Sequence, residues 1–293
     1  MQNIFITFLK LIRIKQWLKN VFIFAPLVFS HHLLNTDDIV KTIVIFFAFS
    51  LVSVLVYIIN DIHDCKQDSV HPRKKTRPIA SGAISKPLAL TIGLVAFLLG
   101  TVLAYSTKEP MTLIPLSVYL ILNLLYTFFL KNVLVLDVFI IALGFCIRVI
   151  IGAVAIDVVP SQWIISTTFA VSLVLGFGKR RHELLSLKNE AVEHREILNE
   201  YTPRLLDIMI GTSSSITAIS YMFYTMESGI SGLFYTFPPV LYALFRYLYL
   251  IYDKNKGGRP EDDLFNDKGI IIAVILWGLM IIGILYCPTQ AVI

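Results

Sequence analysis

The densest run of reactive side chains is Asn60-Asp61-Ile62-His63-Asp64-Cys65-Lys66-Gln67-Asp68, where a long apolar stretch gives way to polar residues. On a helix that continues through this run, Asp61, Asp64 and Asp68 fall at i, i+3 and i+7, on one face. Carboxylates stacked in this way repel one another, so something positive must neutralise them. Oxygen-only donors suit Mg²⁺, which is held by a few carboxylates together with substrate phosphate oxygens. Asp61, Asp64 and Asp68 are the candidate metal ligands, with Asp61 and Asp64 catalytic. The plain alternative is a solvated helix end. It is less economical, because three of the 20 acids in the chain lie in this one stripe. His63 falls off that face and reads as a surface residue.

A basic loop follows, His71-Pro72-Arg73-Lys74-Lys75-Thr76-Arg77-Pro78-Ile79-Ala80-Ser81-Gly82. Lys74 and Arg77, ahead of Arg73 and Lys75, are the candidates for binding phosphate oxygens, which a guanidinium can take two at a time. Attraction to anionic lipid accounts for part of this charge. A second cluster stands at Gly176-Phe177-Gly178-Lys179-Arg180-Arg181-His182-Glu183. Here Lys179 and Arg180 are expected to clamp substrate, with Arg181 less important, and Glu183 is a single candidate metal ligand. Glu190 is a weaker one. At about 100° per residue three successive side chains diverge, so all share a cavity only if the helix breaks. Gly176 and Gly178 permit a break or a close backbone approach.

The elements that carry these clusters are dictated by hydropathy. Of 293 residues, 56% are apolar and 15% charged, with a mean hydropathy of +0.75. Soluble domains run about 45–50% apolar and about 25% charged. The apolar residues come in blocks near 18–34, 38–59, 87–106, 111–130, 134–156, 162–178, 204–226, 230–252 and 270–287. Blocks of roughly 18–22 residues cross about 30 Å of hydrocarbon as helices. The fold class is therefore all-α, an integral membrane bundle of about nine transmembrane helices in one polytopic domain. Caps are expected near 60–86 and 179–203, and the second of these includes an amphipathic helix over 182–202. The spacing of the two large connections hints at two four-helix halves.

Charge is strongly one-sided. Connections on one side of the bundle hold 21 Lys and Arg, against Lys41 and Lys108 on the other. The positive-inside rule then puts the N-terminus and both clusters in the cytoplasm and the C-terminus outside, in a multi-pass cell (inner) membrane protein. The same asymmetry explains the pI near 9.0, and no nucleic-acid partner is expected. Cys65, Cys146 and Cys287 are isolated, with neither metal nor disulfide spacing. The first apolar block is full length, so no cleavable signal peptide is expected.

The run from Asn60 to Asp68, followed by Arg77-Pro78-Ile79-Ala80-Ser81-Gly82, resembles the UbiA superfamily of membrane prenyltransferases. That resemblance covers nearly the whole chain. It implies a nine-helix bundle that binds a prenyl diphosphate through Mg²⁺, and it adds Asn60, Tyr126 and Lys131 as substrate-binding candidates. The family's second acidic motif is missing, replaced by the basic triplet Lys179-Arg180-Arg181. A site so altered suits two phosphorylated substrates. In this the chain is similar to the decaprenyl-phosphate phosphoribosyltransferase branch, as it is in Lys15-Gln16-Trp17-Leu18-Lys19-Asn20, in Asp137-Val138 through Gly144-Phe145-Cys146-Ile147-Arg148, and in Pro260-Glu261-Asp262 with Asp267. The branch likeness implies Gln16, Lys19, Asn20 and Arg181 as further substrate-binding residues. It also implies Mg²⁺-dependent transfer of phosphoribose from 5-phosphoribosyl 1-diphosphate to a polyprenyl phosphate.

Such a reaction fits the lack of a base–nucleophile pair, since a lipid phosphate is already anionic. Prenyl transfer to an aromatic acceptor is the nearest rival and calls for the missing acidic motif. An anionic-lipid transporter is the rival from another class, but it calls for helices broken at the midplane. Arg148, buried by position in the fifth block, is a functional candidate by default. Its competing readings are a pair with an acid on another helix and an anchor at the outer boundary.

Overall fold

The structure is a computed structural model and describes residues 4–70, 74–186, 196–258 and 260–286. Every apolar block is helical among these residues. The longer helices, in chain order, are α1 (Ile4–Leu11), α2 (Ala25–Phe29), α3 (Thr36–His63), α4 (Cys65–Val70), α5 (Lys86–Tyr105) and α6 (Leu113–Phe128). They are followed by α7 (Leu136–Ala155), α8 (Gln162–Ser186), α9 (Pro203–Glu227), α10 (Phe237–Tyr252), α11 (Pro260–Asn266) and α12 (Lys268–Tyr286). Among the described residues, five segments are individually long and apolar enough to cross a membrane: Thr36–His63, Lys86–Tyr105, Pro110–Phe128, Leu136–Ala155 and Lys268–Tyr286.

The remaining blocks differ for physical reasons. α8 and α9 have 25 residues each but carry many hydroxyls. Some of those hydroxyls bond back into their own helices, Ser172 Oγ to Thr168 O at 2.6 Å and Thr217 Oγ1 to Ser213 O at 2.8 Å. The first block is an 11-residue 3₁₀ helix, Ile14–Phe24, running into the five residues of α2. At about 2.0 Å and about 1.5 Å per residue their summed rise is roughly 30 Å, so the tighter helix reaches that length with fewer residues. Its start is Arg13, a non-glycine residue in the left-handed region with φ 50° and ψ 49°.

The helices pack into two compact units, each with its own core. One comprises Met1–Val133 and Gly144–Val159, the other Leu134–Leu143 and Pro160–Ile293. In the first unit α5 presents Ala89, Gly93, Ala96, Gly100 and Ala104 as a buried small-residue stripe. The stripe lets α3 approach closely: a Cβ on Gly100 would lie 2.7 Å from the Ala48 carbonyl oxygen. Phe49, Val52, Tyr119, Ile147 and Ile151 fill the space beside it. In the second unit Val138, Val174, Phe177, Leu206, Ile210 and Ile251 form the core. Gly176 and Gly178 do not break α8, which runs unbroken to Ser186. They admit neighbouring side chains instead, since a Cβ would sit 2.4 Å from Val138 Cγ1 and 2.9 Å from Ile251 Cδ1 respectively.

The helix expected over 182–202 is seen only in part. α8 continues to Ser186, Glu196–Asn199 is a 3₁₀ turn, and 187–195 lie outside the described residues. Ile197 and Leu198 in that turn are buried rather than lying on a surface.

Candidate active site

In the first unit the acidic run sits where α3 ends. Its backbone does not continue as one helix: α3 stops at His63, Asp64 caps it at φ −86° and ψ 5°, and α4 begins at Cys65. The single row of three carboxylates is therefore split. Asp61 and Asp68, both buried, share one guanidinium. Arg77 Nη1 donates to Asp61 Oδ1 at 2.9 Å and also to Asp68 Oδ2. Lys74 Nζ stands 3.7 Å from the other Asp68 oxygen. Arg13 adds a further ion pair to Asp61 and lies over the Tyr57 ring at 5.1 Å.

Asp64 has its own partners. Lys131, from the turn Leu130–Asn132, pairs with it, and His63 Nδ1 is 2.9 Å from its Oδ1. His63 thus belongs to the cluster rather than facing away from it. Burial opposes ionisation of Asp64, but His63 and Lys131 outweigh it and hold the carboxyl below its ordinary range. Asn60, half-buried, accepts a long bond from Thr127 Oγ1 at 3.5 Å. Tyr126 lies half-buried near the end of α6, one turn before Lys131. Three carboxylates here meet four cations: Arg13, Lys74, Arg77 and Lys131.

The second unit carries the basic triplet on the last two turns of α8. Lys179 is exposed. Arg180 turns inward, with a side chain only 3% exposed. Its Nε donates to Asp137 Oδ2 at 2.6 Å, and its Nη1 pairs with Glu183. Asp137 is fully buried and accepts a second bond from Tyr201 OH at 2.7 Å, and that hydroxyl in turn accepts from Val135 N–H at 3.0 Å. Burial and the neighbouring Asp137 carboxylate push the Tyr201 phenol up. Arg181 pairs with Asp207 at 2.7 Å and lies over the Tyr252 ring at 4.7 Å.

Several of the expected site residues have partners inside the protein. Arg180 turns to the buried Asp137, which needs a counter-charge. Glu183 does not stand as an uncommitted carboxylate ligand, being paired with Arg180. Asn20 is 1% exposed and so faces the interior. Its Nδ2 donates to Ser50 Oγ at 2.8 Å and its Oδ1 accepts from Arg148 Nε at 2.7 Å. Gln16 and Lys19, on the same 3₁₀ helix, are half-buried. Asp267 caps α12, accepting from Ile270 N–H at 3.0 Å while pairing with Arg246. Arg73, Glu190 and the Glu261 side chain lie outside the described residues.

Arg148 bonds to neutral groups rather than to an acid on another helix. Its Nη1 donates to Gly144 O at 2.6 Å and its Nη2 reaches Tyr119 OH at 3.4 Å. The rings of Phe49, Tyr119 and Phe145 lie 5.1–5.2 Å from its guanidinium carbon. No carboxylate among the described residues pairs with it. An arginine at mid-membrane costs about 2.5–3.5 kcal/mol by insertion scales, and polar bonds and ring faces offset part of that. Two residues that now stand out, Arg13 and Tyr201, went unselected in the sequence. Arg13 is one of several basic residues ahead of the first block, and nothing marks it. Asp137 was legible as an acid just inside an apolar block.

Residues 21–262 match the model of the UbiA prenyltransferase family, and the chain belongs to that family. It is 29% identical over 289 residues to a decaprenyl-phosphate phosphoribosyltransferase of Corynebacterium glutamicum, covering 95% of this chain and 86% of that protein. It is 30% identical over 275 residues to a decaprenyl-phosphate phosphoribosyltransferase of Mycobacterium tuberculosis, covering 92% and 90%. Among solved structures, a UbiA homolog from Archaeoglobus fulgidus bound to DMAPP and Mg²⁺ superposes with a TM-score of 0.71. That match has 16% identity and covers 95% of this chain and 96% of the other.

Proposed function

We propose that this membrane protein transfers phosphoribose from 5-phosphoribosyl 1-diphosphate to a polyprenyl phosphate, releasing diphosphate. The observation that carries the reading is the excess of cations. Four meet three carboxylates at the end of α3, whereas Arg180 and Arg181 at the end of α8 have carboxylate partners of their own. Two phosphorylated substrates bring the anionic charge that such an excess complements. The relatives named above support the same reading.

The donor set fits Mg²⁺. Arg77 Nη1 donates to both Asp61 and Asp68, so these two buried carboxylates already share one positive group. Asp61 and Asp68 would hold the ion, with Asp64 beside them, and released Arg77, Arg13 and Lys74 would turn to phosphate oxygens. Bound there, Mg²⁺ would neutralise charge gathering on the departing diphosphate. The chain's own work is electrostatic and positional. Arg77 can take two phosphate oxygens in one plane, and Lys131 holds Asp64 ionised. In the transfer a lipid phosphate oxygen bonds to ribose C1 as the C1–diphosphate bond breaks. No side chain has to remove a proton from that oxygen.

The one-sided distribution of Lys and Arg supports a cytoplasmic N-terminus and cytoplasmic clusters in the cell membrane. Purified protein given Mg²⁺, 5-phosphoribosyl 1-diphosphate and polyprenyl phosphate should form a lipid-linked ribose phosphate. Prenyl diphosphate with 4-hydroxybenzoate should yield nothing. The reverse outcome would make the chain an aromatic prenyltransferase.

A further inference from the structure

We propose that Arg148 is a positioning residue: through Asn20 it fixes the 3₁₀ helix Ile14–Phe24 where Arg13 can reach Asp61. The kinetic part of this inference rests on the function proposed above, whereas the anchoring part does not.

The contacts form a chain through the first unit. Asn20 is buried, and its amide is committed to Arg148 on α7 and Ser50 on α3, so one side chain ties three segments together. One turn further along α7, Gly152 meets the same segment. A Cβ there would lie 2.0 Å from the Ile23 carbonyl oxygen, so the two backbones touch. α7 therefore grips the 3₁₀ helix at two points, Asn20 and Ile23.

That grip answers a conformational need. Runs of 3₁₀ helix beyond about four residues are uncommon because their hydrogen-bond geometry is poor. This one runs for 11 residues and starts from a left-handed arginine. Such backbone persists where surrounding structure over-determines it. The consequence of holding it is the placement of Arg13, whose guanidinium packs over Tyr57 and pairs with Asp61, residues one turn apart on α3. Lysine at position 148 would keep the charge among the three rings. It offers no planar fork to serve Asn20, Gly144 O and Tyr119 together.

The test uses the full-length protein in detergent with 5-fluorotryptophan at its three tryptophans, Trp17, Trp163 and Trp277. Trp17 lies on the segment, its Nε1 donating to Ile12 O at 3.2 Å and its ring 6.4 Å from Phe47. Its ¹⁹F resonance is assigned by Trp17→Phe. Arg148→Lys and Gly152→Ala are each expected to move the Trp17 resonance and leave those of Trp163 and Trp277 in place. Both should raise KM for the Mg²⁺–sugar diphosphate by about tenfold with a smaller change in kcat. An unmoved Trp17 resonance in Arg148→Lys, with the other two intact, overturns the anchoring. A moved resonance with unchanged KM overturns the positioning of Arg13. Should Arg148→Lys not fold, Gly152→Ala decides by the same two readouts. If the native protein transfers no phosphoribose, the proposed function falls while the resonance still decides the anchoring.

Discussion

Replacing Arg180 by methionine separates a structural cation from a substrate ligand. Among the described residues, the change leaves the fully buried Asp137 carboxylate with only the Tyr201 hydroxyl as a partner. Removing one member of a buried ion pair typically costs about 3–5 kcal/mol. At about 2–4 °C per kcal/mol, Tm should fall by roughly 6–20 °C. Thermal unfolding in detergent, followed by circular dichroism, measures this. The double variant Arg180→Met with Asp137→Leu removes both charges and should recover most of the loss, because an apolar pair can replace a buried ion pair almost neutrally. Glu183, 27% exposed at its side chain, can turn to water in either variant. If Arg180→Met melts within about 2 °C of the native protein, below what a loss of about 1 kcal/mol would produce, the structural assignment is wrong. Abolished turnover in that same stable variant would restore Arg180 as a substrate clamp.

Three further outcomes are expected. Asp61→Asn should lower turnover at ordinary Mg²⁺ by more than about a hundredfold, roughly 2.7 kcal/mol of transition-state stabilisation, and native kinetics would refute its part in metal binding. Asp64 is held below its ordinary range, so its stabilising contribution is present above the unfolded value near 3.8 and is lost as pH falls through the lower folded value. Lys131→Met should therefore melt with a flatter dependence below about pH 5 than the native chain, and parallel curves would contradict this. For topology, a cysteine at exposed Ser69 should be labelled only from the cytoplasmic side, and one at Lys108 only from the other. Lys108 serves because the adjacent Thr107 is buried, its Oγ1 bonded to Ala104 O at 2.7 Å.

What the sequence made legible follows from which forces are local. Lipid requires every backbone group to be paired within its own segment, so the length of an apolar block reports a helix whatever it packs against. The Asp61–Asp68 run and Arg77 were legible because chemistry concentrates charge where a membrane helix ends. Charge order gives sign and side of the membrane, but not partners. A one-residue break at Asp64 reassigns that carboxylate from Arg77 to Lys131, and no propensity marks the break. On unbroken α8 a single step of about 100° turns Arg180 inward and leaves Lys179 exposed. Whether that step points into core or solvent depends on Asp137 and Tyr201, 43 residues before and 21 after in the chain. The tight winding of Ile14–Phe24 was equally hidden, because it is imposed by Gly152 and Arg148 from α7.

The central claim is phosphoribosyl transfer to a lipid phosphate, and one measurement addresses it directly. The protein is reconstituted with Mg²⁺ and polyprenyl phosphate and given 5-phosphoribosyl 1-diphosphate labelled in the ribose. Organic-phase label and aqueous diphosphate are then followed together. The account predicts that label enters the lipid phase in step with diphosphate release, and that both stop when the metal is chelated. Label remaining wholly in water, in a preparation whose folding is verified by its melting transition, would contradict it.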